Sequence, residues 1–189
     1  GGVGAARAFA DPCPSSASSL KEVWNEGRAG KVRDAFVATN VSYAASAVTA
    51  VQHELDALTA AWSAMHHDTC AATRVRADQS APLFDLRMEC LGQRRRELDA
   101  IIGLLETADA KLTERSVTAV QGLTPLSVCA DVAALQRRPS LPTEPAIRAR
   151  HGELSEGLAA LKAQLLAGRW AQALVASQPL IESAHAIAD

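Results

Sequence analysis

The stretch of sequence that sets the fold class is VTAVQHELDALTAAWSAM, residues 48–65. Its large apolar residues recur at alternating steps of three and four; they are Val48, Val51, Leu55, Leu58, Trp62 and Met65. This spacing places all of them on one stripe of a helix, which we predict over about 43–73. At about 1.5 Å rise per residue such a helix is roughly 45 Å long. We expect the stripe to face the interior, although it could also serve a second chain in self-association.

A second long helix follows. Ser80 with Pro82 marks its start, and apolar positions from Leu83 continue to about residue 107. Because only a short polar turn, centred near residue 79, separates the two helices, we expect them to pack as an antiparallel hairpin. The charged residues of the second helix are expected on its solvent face; they are Arg94, Arg95, Arg96 and Glu97.

The rest of the chain divides around this hairpin. Short helices are predicted over 20–26 and 31–39, with a break at Gly27 and Gly30, and Asp109 is expected to cap a further helix that Pro125 separates from a short one over 127–135. Gly168 is expected to cap the first of two C-terminal helices, and Pro179 to kink or split the second. The predicted organisation is an irregular lead-in over 1–18, a helical bundle over 19–136, a Pro-rich linker over 137–145 and a helix pair over 146–189.

Composition supports an all-α protein and excludes several functions. The 189 residues include 39 alanines but only 4% aromatic residues, which favours helices over strands. The 19 basic and 21 acidic residues leave no positive excess for binding nucleic acid. No glycine-rich phosphate loop, nucleophile elbow or kinase motif is present, so we expect no enzymatic activity and no cofactor for this chain.

Four cysteines are the most informative polar residues: Cys13, Cys70, Cys90 and Cys129. None are spaced as C-x-x-C, and four cysteines allow three disulfide connectivities. Across a hairpin turn near residue 79, Cys70 and Cys90 are expected at the same height, which leaves Cys13 to pair with Cys129. The alternative is four buried free thiols, since cysteine is among the most buried residues.

A metal site is a second possibility on the first long helix. His66 and Cys70 have the i, i+4 spacing that can offer two ligands on one face, and His67 lies beside them. No second pair with ligand spacing lies nearby, so we expect no metal here. A small helical metal-binding protein or enzyme using His66, His67 and Cys70 remains the alternative.

Several segments resemble one protein family. They are Asp11-Pro12-Cys13, Val23-Trp24, residues 35–39, residues 43–45, residues 62–66, residues 70–76, Leu83-Phe84-Asp85-Leu86-Arg87-Met88-Glu89-Cys90-Leu91 and residues 123–131. Together they are similar to the region that follows the kinase domain in large bacterial serine/threonine protein kinases with tetratricopeptide arrays. The resemblance covers most of residues 11–135.

The C-terminal helix pair is similar to the start of such an array. Gly168-Arg169-Trp170 with Ala173-Leu174 matches the part of a repeat where the turn places a glycine, an aromatic residue and a small alanine. Gly157 and Pro179 depart from a well-formed repeat. A single repeat cannot bury its own face, which implies that further repeats follow.

The resemblance implies a non-catalytic sensory or scaffolding region of a membrane-anchored kinase. It implies a location on the extracytoplasmic face of the bacterial membrane, with a cytoplasmic location as the alternative, and an anchor outside this chain. A protein or peptide is the expected partner, and a monomer is expected over a homo-oligomer. The residues expected to matter are structural: the four cysteines, and Trp24, Trp62 and Trp170 as core anchors.

Overall fold

The computed structural model of the chain describes Cys13, residues 20–139 and residues 142–188, without the side chains of residues 187 and 188. Within these residues every regular element is helical, which confirms the all-α prediction. The helices are α1 Glu26–Ala38, α2 Ala44–Arg74, α3 Ala81–Leu105, α4 Ala110–Gln121, α5 Val132–Gln136, α6 Pro145–Leu166 and α7 Trp170–Ala188, with a 3₁₀ helix, Leu126–Cys129, between α4 and α5. No described helix combines the length and apolar character that a membrane crossing requires.

The stripe on α2 lies in the core, as the periodicity predicts. Val51 and Leu55 are fully buried and Trp62 is 4% exposed, while Leu58 and Met65 pack against the same core from its edge. The stripe therefore offers little surface to a second chain.

Three predicted helix boundaries are confirmed by the hydrogen bonds and backbone angles at the helix ends. The Ser80 hydroxyl accepts from the Leu83 amide at the start of α3, and the Asp109 carboxylate accepts from the Leu112 amide at the start of α4. Gly168 ends α6 in the left-handed region with φ 73°, and the Arg169 amide reaches back to the Gln164 carbonyl. A residue with a Cβ is disfavoured at this φ, which explains the glycine.

The predicted break at Gly27 and Gly30 is wrong. The chain turns at residues 22–24, and α1 then runs through both glycines after an N-cap in which the Asn25 side chain accepts from the Arg28 amide. The two glycines have low helix propensity, but the burial of Val32 and Phe36 in the core stabilises α1 enough to compensate. Further along the chain, Pro179 does not split the second C-terminal helix, because α7 continues through it.

One hydrophobic core joins the bundle to the helix that follows the Pro-rich segment. The core extends from Leu20, before α1, to Ala163 in α6 and Ala167 at its C-terminal end. α6 packs along α3 and also contacts α4. Residues 140 and 141 of the predicted linker lie outside the described residues, as do residues 1–18 of the predicted lead-in except for Cys13.

The cysteines form two disulfides, but the predicted pairing is wrong. Cys13 is bonded to Cys70, and Cys90 is bonded to Cys129. The helix ends explain the error: Cys70 is four residues from the end of α2 at Arg74, whereas Cys90 is nine residues from the start of α3 at Ala81. That difference corresponds to about 7.5 Å of helix rise. The residues of α3 that pack beside the Cys13–Cys70 bond are instead Phe84 and Met88.

Candidate interaction site

The outermost helix of the structure is α7, which packs mainly against α6. Its large apolar side chains face solvent: Trp170 is 63% exposed, Leu174 75%, Val175 76% and Ile181 49%. Trp170, Leu174 and Ile181 are spaced i, i+4, i+11, which places them on one side of the helix. Val175, one residue after Leu174, extends the exposed apolar surface around the helix. We call the surface made by these four residues the α7 apolar face.

The α7 apolar face corrects one prediction. Trp170 is not a core anchor, because nearly two thirds of its surface is exposed. The other two tryptophans differ from it. Trp62 is buried and its indole donates to the Leu91 carbonyl at 2.8 Å, whereas Trp24 is half-buried against the core and its indole donates to the Asp56 carboxylate at 2.6 Å.

The composition of α7 is unusual for a helix with an exposed outer side. Between Trp170 and Ala188 the only Asp, Glu, Lys or Arg is Glu182, and His185 is the remaining titratable residue. A solvated helix normally carries a polar outer side, so the α7 apolar face has the character of a surface that another element covers.

α6 and α7 approach closely at a glycine. A Cβ placed on Gly157 of α6 would lie 2.2 Å from Leu180 Cδ2 of α7. The same residue that departs from a well-formed repeat therefore lets Leu180 pack directly on the α6 backbone. Leu180 and the buried Ala173 mark the side of α7 that packs inward, and the α7 apolar face lies outside this contact.

A buried ion-pair network fixes α6 to the bundle. The Glu97 carboxylate of α3 lies 3.0 Å from Arg94 and 2.8 Å from Lys162 of α6, and it also accepts from the Thr124 amide at 3.3 Å. Arg94 and Glu97 are 9% and 6% exposed, so the prediction of a solvent face for these two residues is wrong. The sequence pattern of α3 alone cannot show that Glu97 meets Thr124 and Lys162, which are distant along the chain.

The structure gives no support to a metal site at His66, His67 and Cys70. Cys70 Sγ is bonded to Cys13, so it offers no thiolate, and the His66 ring stacks on Trp62 with ring centroids 4.9 Å apart. Burial lowers the pKa of His66, and His67 lowers it further. Among the described residues no cluster of three or more His, Cys, Asp or Glu side chains has the arrangement that a metal ion needs.

Comparison with family models, with curated proteins and with solved structures found no match to this chain.

Proposed function

We propose that this chain is a non-catalytic protein-interaction region of a membrane-anchored bacterial serine/threonine kinase. In this proposal the bundle is a rigid support, and α6 with α7 is the first unit of a tetratricopeptide-like array. The observation that carries the proposal is the α7 apolar face.

Single exposed apolar residues need no explanation, but a whole helix side of this kind does. The occupant that fits it best is an amphipathic helix from the next unit of the array. In helical repeats each unit packs on its neighbour, and an uncapped unit leaves an apolar side exposed. The near absence of charge on α7 matches such an apolar contact and not a salt-bridged surface.

The ion-pair network supports the role of the bundle as a support. Because Lys162 pairs with the buried Glu97, α6 is held in a defined orientation on α3. In a repeat array that begins at α6, each later unit would be oriented by the one before it. The groove for a partner peptide would therefore have a fixed position relative to the bundle.

The two disulfides support a location outside the cytoplasm. Disulfides persist in oxidising compartments and are rare in the reducing cytosol. Cys90 and Cys129 are 1% and 0% exposed, which is typical of structural disulfides and not of exchanging ones. The extracytoplasmic side of a bacterial membrane is the compartment that fits both the disulfides and the resemblance.

The repeat proposal is tested by adding one consensus tetratricopeptide repeat after residue 189. We expect a single cooperative unfolding transition, at a higher temperature than that of the chain alone, because the added helix buries Trp170 and Leu174. The matched control is the same fusion carrying Leu174→Glu and Val175→Lys. Separate transitions, or equal stabilisation of the control fusion, would contradict the proposal.

The proposal that this chain is part of a larger kinase is tested in the source bacterium with an antibody against this chain. The protein immunoprecipitated from membranes is expected to be much larger than 19.9 kDa and to incorporate labelled phosphate from ATP. A species of about that mass in the soluble fraction, with no incorporation, would contradict the proposal.

A further inference from the structure

A cleft of about 490 Å³ lies between α3 and α6, beside the chain that follows α5. Its volume falls in the range of about 300–1,000 Å³ that small-molecule sites occupy. The residues of interest in its lining are Leu86, Gln93, Arg138, His151, Ser155 and Leu158. This cleft is on a different part of the molecule from the α7 apolar face.

The walls of the cleft combine apolar surface with polar groups. Leu86 from α3 and Leu158 from α6 supply apolar surface, and Leu158 is 51% exposed. The Gln93 amide makes no hydrogen bond within the described part of the chain, so its donors are available to a ligand. Ser155 already donates its hydroxyl to the His151 carbonyl at 2.8 Å and can only accept.

Arg138 is the one arginine among the described residues that line the cleft. Arg138 has no ion pair with any described carboxylate, and only its backbone amide is bonded, to the Leu135 carbonyl. Glu89 also lines the cleft, but its carboxylate is bound by Arg96 at 2.8 Å. Within the described part of the chain, Arg138 is therefore a cation at the cleft without a carboxylate partner.

Two arginines of α3 near Arg138 and Glu89 add to the positive potential; they are Arg94 and Arg96. Burial lowers the pKa of Arg94, and the positive charges of Arg138 and Arg96 lower it further against the opposing charge of Glu97. Its partner Glu97 is shared with Lys162. The buried Nε–H groups of Arg94 and Arg96 have no hydrogen-bond acceptor among the described residues. Cations thus outnumber carboxylates here, and an added negative charge would be stabilised.

We propose that this cleft binds a small amphipathic anion, with an acidic headgroup on Arg138 and Gln93 and an apolar body along Leu86 and Leu158. A carboxylate suits the planar guanidinium fork of Arg138, which can hold both oxygens. The site is independent of the proposed interaction function, because neither the α7 apolar face nor an array is needed for it.

Isothermal titration of the chain with decanoate, below its micelle concentration, tests the site. We expect saturable one-to-one binding that Arg138→Ala weakens about tenfold, since one charge-assisted contact contributes roughly that factor. Arg137→Ala is the matched control, because Arg137 is exposed like Arg138 but does not line the cleft. It is expected to bind decanoate as the wild type does.

Two further measurements distinguish binding at this cleft from non-specific apolar binding. Decanol, which lacks the charge, is expected to bind at least tenfold more weakly than decanoate, and Leu174→Glu on the α7 apolar face is expected to leave decanoate binding unchanged. Each variant is compared by its thermal unfolding, so that a folding defect is recognised. Absence of saturable binding, equal affinity of Arg138→Ala, equal affinity for decanol or loss of binding in Leu174→Glu would each overturn the proposal.

Discussion

The Lys162 ammonium lies 2.8 Å from the buried Glu97 carboxylate, and this pair links α6 to α3. Glu97 also binds Arg94, so one buried carboxylate holds two cations. Replacing Glu97 by Gln leaves both cations without a counterion, for which we expect a loss of about 3–5 kcal/mol in the free energy of unfolding. Urea denaturation measures this loss.

The two single variants at this network should differ. Lys162→Met leaves Glu97 paired with Arg94, so we expect a smaller loss of about 1–2 kcal/mol. Lys111 is an exposed lysine of α4, and Lys111→Met should change the stability by less than about 0.5 kcal/mol. If Lys162→Met and Lys111→Met have the same stability, the network does not hold α6 in place.

The disulfide connectivity is checked by peptide mapping without reduction. Trypsin separates the four cysteines into different peptides, so each pairing gives its own linked mass. The structure predicts linked peptides that contain Cys13 with Cys70 and Cys90 with Cys129. A linked peptide containing Cys70 and Cys90 would contradict it.

Two glycines should respond in opposite directions to alanine. Gly168→Ala forces a Cβ into a backbone with φ 73°, so we expect a loss of about 1 kcal/mol. Gly152 lies inside α6, and a Cβ there meets no atom within 4 Å. Gly152→Ala should therefore stabilise the chain by about 0.5–1 kcal/mol through helix propensity. Thermal unfolding of both variants tests the pair, and a gain at Gly168 would refute the left-handed cap.

Stability should depend on the protonation of His66. Burial lowers its folded-state pKa below the unfolded value of about 6.5, so the unfolded state takes up the proton first. The contribution of His66 is fully present above pH 6.5 and is lost as the pH falls through the folded pKa. We expect the wild type to lose more stability than His66→Phe between pH 7.5 and pH 5.

The control for this pH dependence is His53→Gln, a substitution at an exposed histidine of the same helix. It should keep the wild-type loss of stability at low pH, whereas His66→Phe, which retains a ring over Trp62, should reduce it. Identical pH profiles for all three proteins would show that His66 is not the group responsible.

The features that sequence alone predicted are those that a single helix determines. The stripe from Val48 to Met65 has one period over many turns, and the caps at Ser80 and Asp109 depend only on neighbouring residues. The features that it missed depend on distant segments. Glu97 is buried where it pairs with Lys162 of α6 and accepts from Thr124, and Cys90 meets Cys129 because the chain after α4 returns to α3.

Trp170 shows the same limit at the candidate interaction site. The burial of an aromatic residue depends on what packs against its helix, which the neighbouring sequence does not specify. The structure has Trp170 63% exposed, and the exposure of the whole α7 apolar face became visible only with the orientation of α7 on α6.

The most direct test of the proposal is hydroxyl-radical footprinting of α7 in two states, the isolated chain and, in cell envelopes, the membrane-anchored parent protein that we propose. In the isolated chain, oxidation of Trp170 and Leu174 should be high. In the intact protein we expect it to fall several-fold, while Val37, which is 57% exposed on the bundle, reacts equally in both states. Equal oxidation of Trp170 and Leu174 in the two states would contradict the claim that the α7 apolar face is covered.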